Sequence, residues 1–95
     1  MSELTTATPS YRAAPPSSLL IEPLDALTAV YHRASGMTHL LVAPAPEILR
    51  ALAEPATPDG LLERLRGEFD VADADGASIG ARLEELVEAG LVERL

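Results

Sequence analysis

Leu27-Thr28-Ala29-Val30-Tyr31-His32-Arg33-Ala34-Ser35-Gly36-Met37-Thr38-His39-Leu40-Leu41-Val42 is the stretch that decides the fold. Its first arm is rich in β-branched and aromatic residues, Ala34-Ser35-Gly36 reads as a turn, and Met37 to Val42 reads as the returning strand. The pattern predicts a β-hairpin with two registers open. A three-residue loop with Gly36 left-handed pairs Arg33 with Met37 and sets Tyr31 opposite His39. A two-residue Ser35-Gly36 loop pairs His32 with His39 and gathers Leu27, Ala29, Tyr31, Leu40 and Val42 on one face. Turn chemistry favours the first, because serine is a poor residue for positive φ. The coherent apolar face favours the second.

On the N-terminal side, Leu19-Leu20-Ile21-Glu22 forms a shorter strand signal that ends at Pro23, which suits a strand end or edge. Residues 1–18 are rich in Ser, Thr, Ala and Pro, with few large apolar side chains, and read as a mobile tail. On the C-terminal side the period becomes helical. Pro44 and Pro46 fit a first helical turn, and Ile48, Leu49 and Leu52 form an apolar stripe that stops before Pro55. Thr57-Pro58-Asp59 is an N-cap, a first-turn proline and a first-turn acid, followed by Leu61, Leu62, Leu65 and Phe69 on one face. Asp73 or Asp75 caps a third helix, Ala77 to Ala89, whose inward side is Ile79, Leu83, Leu86 and Val87. Gly90 ends it and Leu91-Val92 return to the core. The expected fold is therefore α+β and winged-helix-like, a three-stranded antiparallel sheet followed by three helices over residues 19–95.

Composition narrows the function. The chain has 95 residues, no cysteine, seven arginines with no lysine, and fifteen acids, for a net charge of −8. Residues 57–95 alone carry ten acids and four arginines, a net of −6, whereas residues 19–56 carry −2. Three terminal helices resemble a helix-turn-helix, which makes a DNA-binding regulator an alternative. Its reading helix, however, would set Arg82 against Glu84, Glu85 and Glu88, a sign that phosphate repels. No nucleic-acid partner is expected. Without cysteine there is no disulfide, thiolate or Cys-type zinc chemistry. His32 and His39 would need further ligands to hold a metal, Ser35 is a turn residue without a nucleophile's context, and no glycine run forms a phosphate loop. No catalytic residue, metal or cofactor is expected. The N-terminus lacks the charge and apolar run of a secretory signal, and no segment has the roughly 20 apolar residues that span a bilayer. Location is expected to be cytoplasmic, without membrane contact.

An exposed sheet edge remains, and its unpaired N–H and C=O groups are a site for an added strand. Beside it, Ser78, Arg82 and Glu85 lie on one flank of the third helix's buried stripe, with Gly80 and Glu84 on the other. Arg82 is the candidate peptide contact, its alternative being a pair with Glu85 inside the helix.

Val30 to Leu41 ("VYHRASGMTHLL"), Ile48-Leu49-Arg50-Ala51-Leu52 and the closing Leu83 to Val92 ("LEELVEAGLV") resemble the PqqD family. The hairpin string is similar to the branch found with a kinase related to HPr kinase, the HPr-rel-A system. The resemblance covers residues 19–95 and implies a peptide chaperone, or RiPP recognition element, rather than an enzyme. It implies that the leader segment of a precursor peptide docks as an added strand on the third strand, here Met37, Thr38, His39, Leu40 and Leu41 with Val42. The groove beside the helix from Ala77 to Ala89 would complete the site. The domain would then present the peptide to an HPr-kinase-related modifying enzyme. An adaptor that binds the kinase-like partner without a peptide is the other alternative.

Overall fold

The computed structural model describes residues 9–69, 71 and 74–95. Strand β1 (Tyr11–Ala13) is followed by a 3-10 turn at Pro16–Ser18 and by β2 (Leu19–Leu24), β3 (Leu27–His32) and β4 (Met37–Leu41). Helices α1 (Ala45–Ala51), α2 (Pro58–Gly67) and α3 (Gly76–Glu88) come next, and β5 (Val92–Arg94) closes the described chain. The molecule is α+β, with a three-stranded antiparallel sheet in the order β2-β3-β4 and three helices. A second, two-stranded sheet pairs β1 with β5.

The hairpin adopts neither expected register. His32 pairs with Met37 and Tyr31 with Thr38, leaving Arg33 to Gly36 as a four-residue loop. Gly36 is its one left-handed residue, at φ 73°, and its N–H donates to the His32 carbonyl at 2.8 Å. Ser35 is thereby spared a positive φ, and its hydroxyl accepts from the Met37 N–H at 3.3 Å. This loop also keeps the face parity of the two-residue alternative, so Leu27, Ala29, Tyr31 and Leu40 do share a face.

That face points outward. The helices cover the opposite one, where Val30 is fully buried, Leu19 nearly so and Leu41 partly. β2 also runs further than expected, through Pro23 to Leu24, because an edge strand tolerates a missing N–H. A two-residue turn then joins it to β3, with Asp25 left-handed at φ 45°, a conformation short polar side chains accept.

The helical reading holds closely. Thr57 caps α2 by accepting from the Gly60 N–H at 3.2 Å, and Asp75 caps α3 by accepting from the Ser78 N–H at 2.9 Å. Asp73, the other candidate cap, lies outside the described residues. Ile48, Leu52, Leu61, Leu65 and Leu91 are essentially inaccessible and form the core with Ile79, Leu83 and Leu86. Arg64 fastens α2 to the end of α1, donating to the Ala51 and Glu54 carbonyls at 2.8 Å each and to that of Pro55 at 3.1 Å. One of these acceptors, Ala51, is the last residue of α1, whose carbonyl the helix end leaves without an intrahelical donor.

The tail expected over residues 1–18 is corrected in its second half. Tyr11 is 5% exposed, Ala14 is equally buried, and β1 pairs with β5 from Tyr11↔Arg94 to Ala13↔Val92. The Tyr11 N–H also donates to the Ala56 carbonyl at 2.8 Å, and the Ala56 N–H donates back at 3.0 Å. One aromatic in a Ser/Pro-rich segment suffices to anchor it once the far end of the chain supplies a partner strand.

Candidate strand-edge and groove site

Among the described residues β4 is hydrogen-bonded on one side only, to β3, so alternate residues direct backbone N–H and C=O groups away from the sheet. Its sequence, Met37-Thr38-His39-Leu40-Leu41, contains no proline and no carboxylate, arginine or lysine. The other edge, β2, carries both Glu22 and Pro23. Charge and proline are the devices that blunt an edge against further pairing. One edge is guarded and the other open.

Side chains alternate along β4. Thr38 and Leu40 share the outer face with Tyr31 and Ala29, and Leu40 is 62% exposed. Met37, His39 and Leu41 take the helix side, where Met37 at the strand's start is still exposed while His39 and Leu41 are half-buried. The Nε2 atom of His39 is buried without a hydrogen-bond partner, as is Oε1 of Glu47 in the first turn of α1. His32 lies on the same face as His39 but opposite Met37; its Nδ1 is 2.8 Å from the Ser35 hydroxyl. Among the described residues, no three His, Asp or Glu side chains converge as a metal site.

Beyond the strand, the chain meets α3 at Pro44. A cavity of about 480 Å³ is lined by Pro44, Ala77, Ser78, Ala81 and Arg82. A neighbouring cavity of about 500 Å³ shares Pro44 and Ser78 and is floored by Phe69, Val71 and Ile79. Ala77 and Ala81, one helical turn apart, supply the depth because their side chains stop at Cβ. The flank bearing Ser78 and Arg82 therefore faces the groove. The opposite flank is committed to β5, since the Glu84 carboxylate accepts from the Arg94 guanidinium at 2.9 and 3.2 Å.

Of the expected site residues, Ser78 and Arg82 line this groove, and Met37 to Leu41 form the open edge. The two groups meet only through Ala43-Pro44, because no β4 side chain lines either cavity. Glu85 stands outside the lining and forms the intrahelical pair with Arg82, at 3.3 Å with both side chains exposed. Such a pair is worth little energetically and is easily exchanged for another partner. Pro44, Ala77 and Ala81 were not among the site residues expected from the sequence, although alanines at i and i+4 beside Ser78 and Arg82 are a legible sign of a trough.

Asp75, at the mouth of the second cavity, has its carboxyl held below the ordinary value by the Ser78 N–H, then by the Ser78 hydroxyl, with smaller help from the Ala77 N–H and Arg66. The exposed side of α3 otherwise presents Glu85 and Glu88, a poor surface for a phosphate backbone. No helix among the described residues is long and apolar enough to cross a membrane. Comparison with family models, with curated proteins and with solved structures finds no match to this chain.

Proposed function

We propose that this domain captures an extended peptide by strand addition along β4 and presents it to a modifying enzyme. The observation that carries the reading is the contrast between the two sheet edges: Glu22 and Pro23 guard β2, whereas Met37–Leu41 has no such device and leads through Ala43-Pro44 to the groove of α3. Strand addition supplies backbone hydrogen bonds without regard to side-chain identity, and the adjoining groove selects among peptides. About four such bonds at ~0.5–1.5 kcal/mol net contribute roughly 2–6 kcal/mol. Micromolar binding needs about −8 kcal/mol, so apolar peptide side chains seated on Pro44, Ala77 and Ala81 make up the difference. Arg82, released from Glu85, is placed to contact the peptide, and the acidity around it favours a neutral or basic one. Delivery to an HPr-kinase-related enzyme rests on the sequence resemblance to the PqqD family.

Proline replacement tests the mechanism, because proline removes an N–H and cannot sit within a paired strand. A fluorescent peptide selected from a random extended-peptide display library serves as probe, its affinity read by anisotropy. Thr38 and Leu40 are two positions apart, so their N–H groups leave the same edge of β4, and Thr38→Pro and Leu40→Pro are each expected to lower affinity at least tenfold while circular dichroism stays unchanged. Undiminished binding by both folded variants overturns strand addition.

A further inference from the structure

The outer face of the β2-β3-β4 sheet is as apolar as the buried one. Cross-strand register puts Leu20 beside Tyr31 and Thr38, Glu22 beside Ala29 and Leu40, and Leu24 beside Leu27. Leu20, Leu24, Leu27, Tyr31 and Leu40 are 36–62% exposed there, a patch of roughly 500 Å², at the upper end of what a soluble monomer leaves uncovered. The strand-addition site does not use this face, since an added strand lies beside β4 in the plane of the sheet.

We propose that the outer sheet face is the contact between two copies of this chain, packed sheet on sheet about a two-fold axis. Two observations select a second copy as the occupant. The first is area: two such patches bury roughly 1,000 Å² together, the lower bound for a specific protein interface. The second is charge. The β2–β3 turn at one end of the patch carries Asp25, and the β3–β4 loop at the other end carries Arg33, which forms no ion pair among the described residues. A two-fold axis crossing the strands reverses one sheet over the other. Each Asp25 then approaches the partner copy's Arg33, so the surface is self-complementary, as an isologous contact requires. Glu22 lies between Leu20 and Leu24 on the edge strand β2 and is the one charge within the patch. α3, which sets Arg82 against Glu84, Glu85 and Glu88, lies on the side of the opposite face, so this concentration of like charge ends up far from the partner copy's.

Sedimentation equilibrium on the full chain tests this. The expected result is a concentration-dependent species of about 20 kDa, twice the 10.0 kDa chain, with a dissociation constant on the order of ten micromolar for an interface this small. Leu20→Glu and Leu24→Glu, both at exposed positions, are each expected to weaken association at least tenfold with an unchanged far-ultraviolet spectrum. Charge reversal gives a second, independent arm. Arg33→Asp alone and Asp25→Arg alone should each be monomeric, and an equimolar mixture of the two should associate, because only the mixed dimer restores both ion pairs. Three results overturn the proposal: a 10.0 kDa monomer up to roughly half-millimolar concentration; a dimer indifferent to Leu20→Glu and Leu24→Glu; or a dimer lost only in Thr38→Pro, which would mean pairing through the β4 edge. Peptide capture is read separately, by anisotropy on the Leu20→Glu monomer, where it should persist.

Discussion

Gly90 shows how much a single residue can carry here. It follows the C-cap of α3 with φ 83°, and its N–H donates to the Val87 carbonyl while the Leu91 N–H donates to that of Leu86, each at 3.0 Å. That pair of bonds is a Schellman motif, and it requires a left-handed residue. The site is also tight. A Cβ on residue 90 would lie 3.2 Å from Cε1 of His32, the ring that β3 lays against this turn. Gly90→Ala is therefore expected to cost about 1–2 kcal/mol for the left-handed conformation, with a further penalty from the imidazole. Chemical denaturation measures the total. The same substitution in a His32→Ala background isolates the conformational part, and equal costs in the two backgrounds would show that the ring gives way freely.

At the scale of the element, α3 is held at both ends by local chemistry, and its start is sensitive to pH. The Asp75 carboxyl accepts from the Ser78 N–H, which lowers its pKa in the folded state. A depressed carboxyl contributes stability that is present above its unfolded value and lost as pH falls through the folded one. Asp75→Asn keeps a cap acceptor but removes the titration. The stability difference between wild type and this variant should be flat near neutrality and shrink from about pH 4 downward, as urea midpoints across that range would show. A constant difference down to pH 3 would mean that the charge adds nothing to the cap. The cap at Thr57, the first-turn prolines and the Gly90 stop were legible in the sequence, and the cap of α3 was narrowed to Asp73 or Asp75, because each depends on residues within four positions of one another. The hairpin loop was not, although it too is local. Three loop lengths can place Gly36 in its left-handed position; Ser35 disfavours the two-residue loop, but nothing within the loop's own residues chooses between three residues and four.

For the whole molecule, the closing contact is between the two ends of the described chain. Tyr11 is buried under the Arg94 guanidinium, 5.6 Å from its ring centroid, and Arg12 pairs with Glu93 at 2.7 Å. In a domain this small one aromatic anchor is a large share of the core. Tyr11→Ala is expected to cost about 3 kcal/mol, and a chain beginning at Leu19 should unfold at a markedly lower temperature than the full one. Equal thermal stability of the two would return residues 9–18 to the status of a tail. Periodicity and turn chemistry determined the order of the three central strands and the three helices, the helix caps and the buried stripe of each helix, because these depend on neighbours along the chain. Strands β1 and β5 left no such signal: each has three residues, and Tyr11 and Arg94 are 83 positions apart. Nor could alternation say which face of the sheet the helices cover, since Leu19, Val30 and Leu41 on one side match Leu20, Tyr31 and Leu40 on the other. Helix packing made that choice. It buried one apolar face, left its twin in solvent, turned the Ser78–Arg82 flank of α3 towards Pro44, and so settled which surfaces stay exposed.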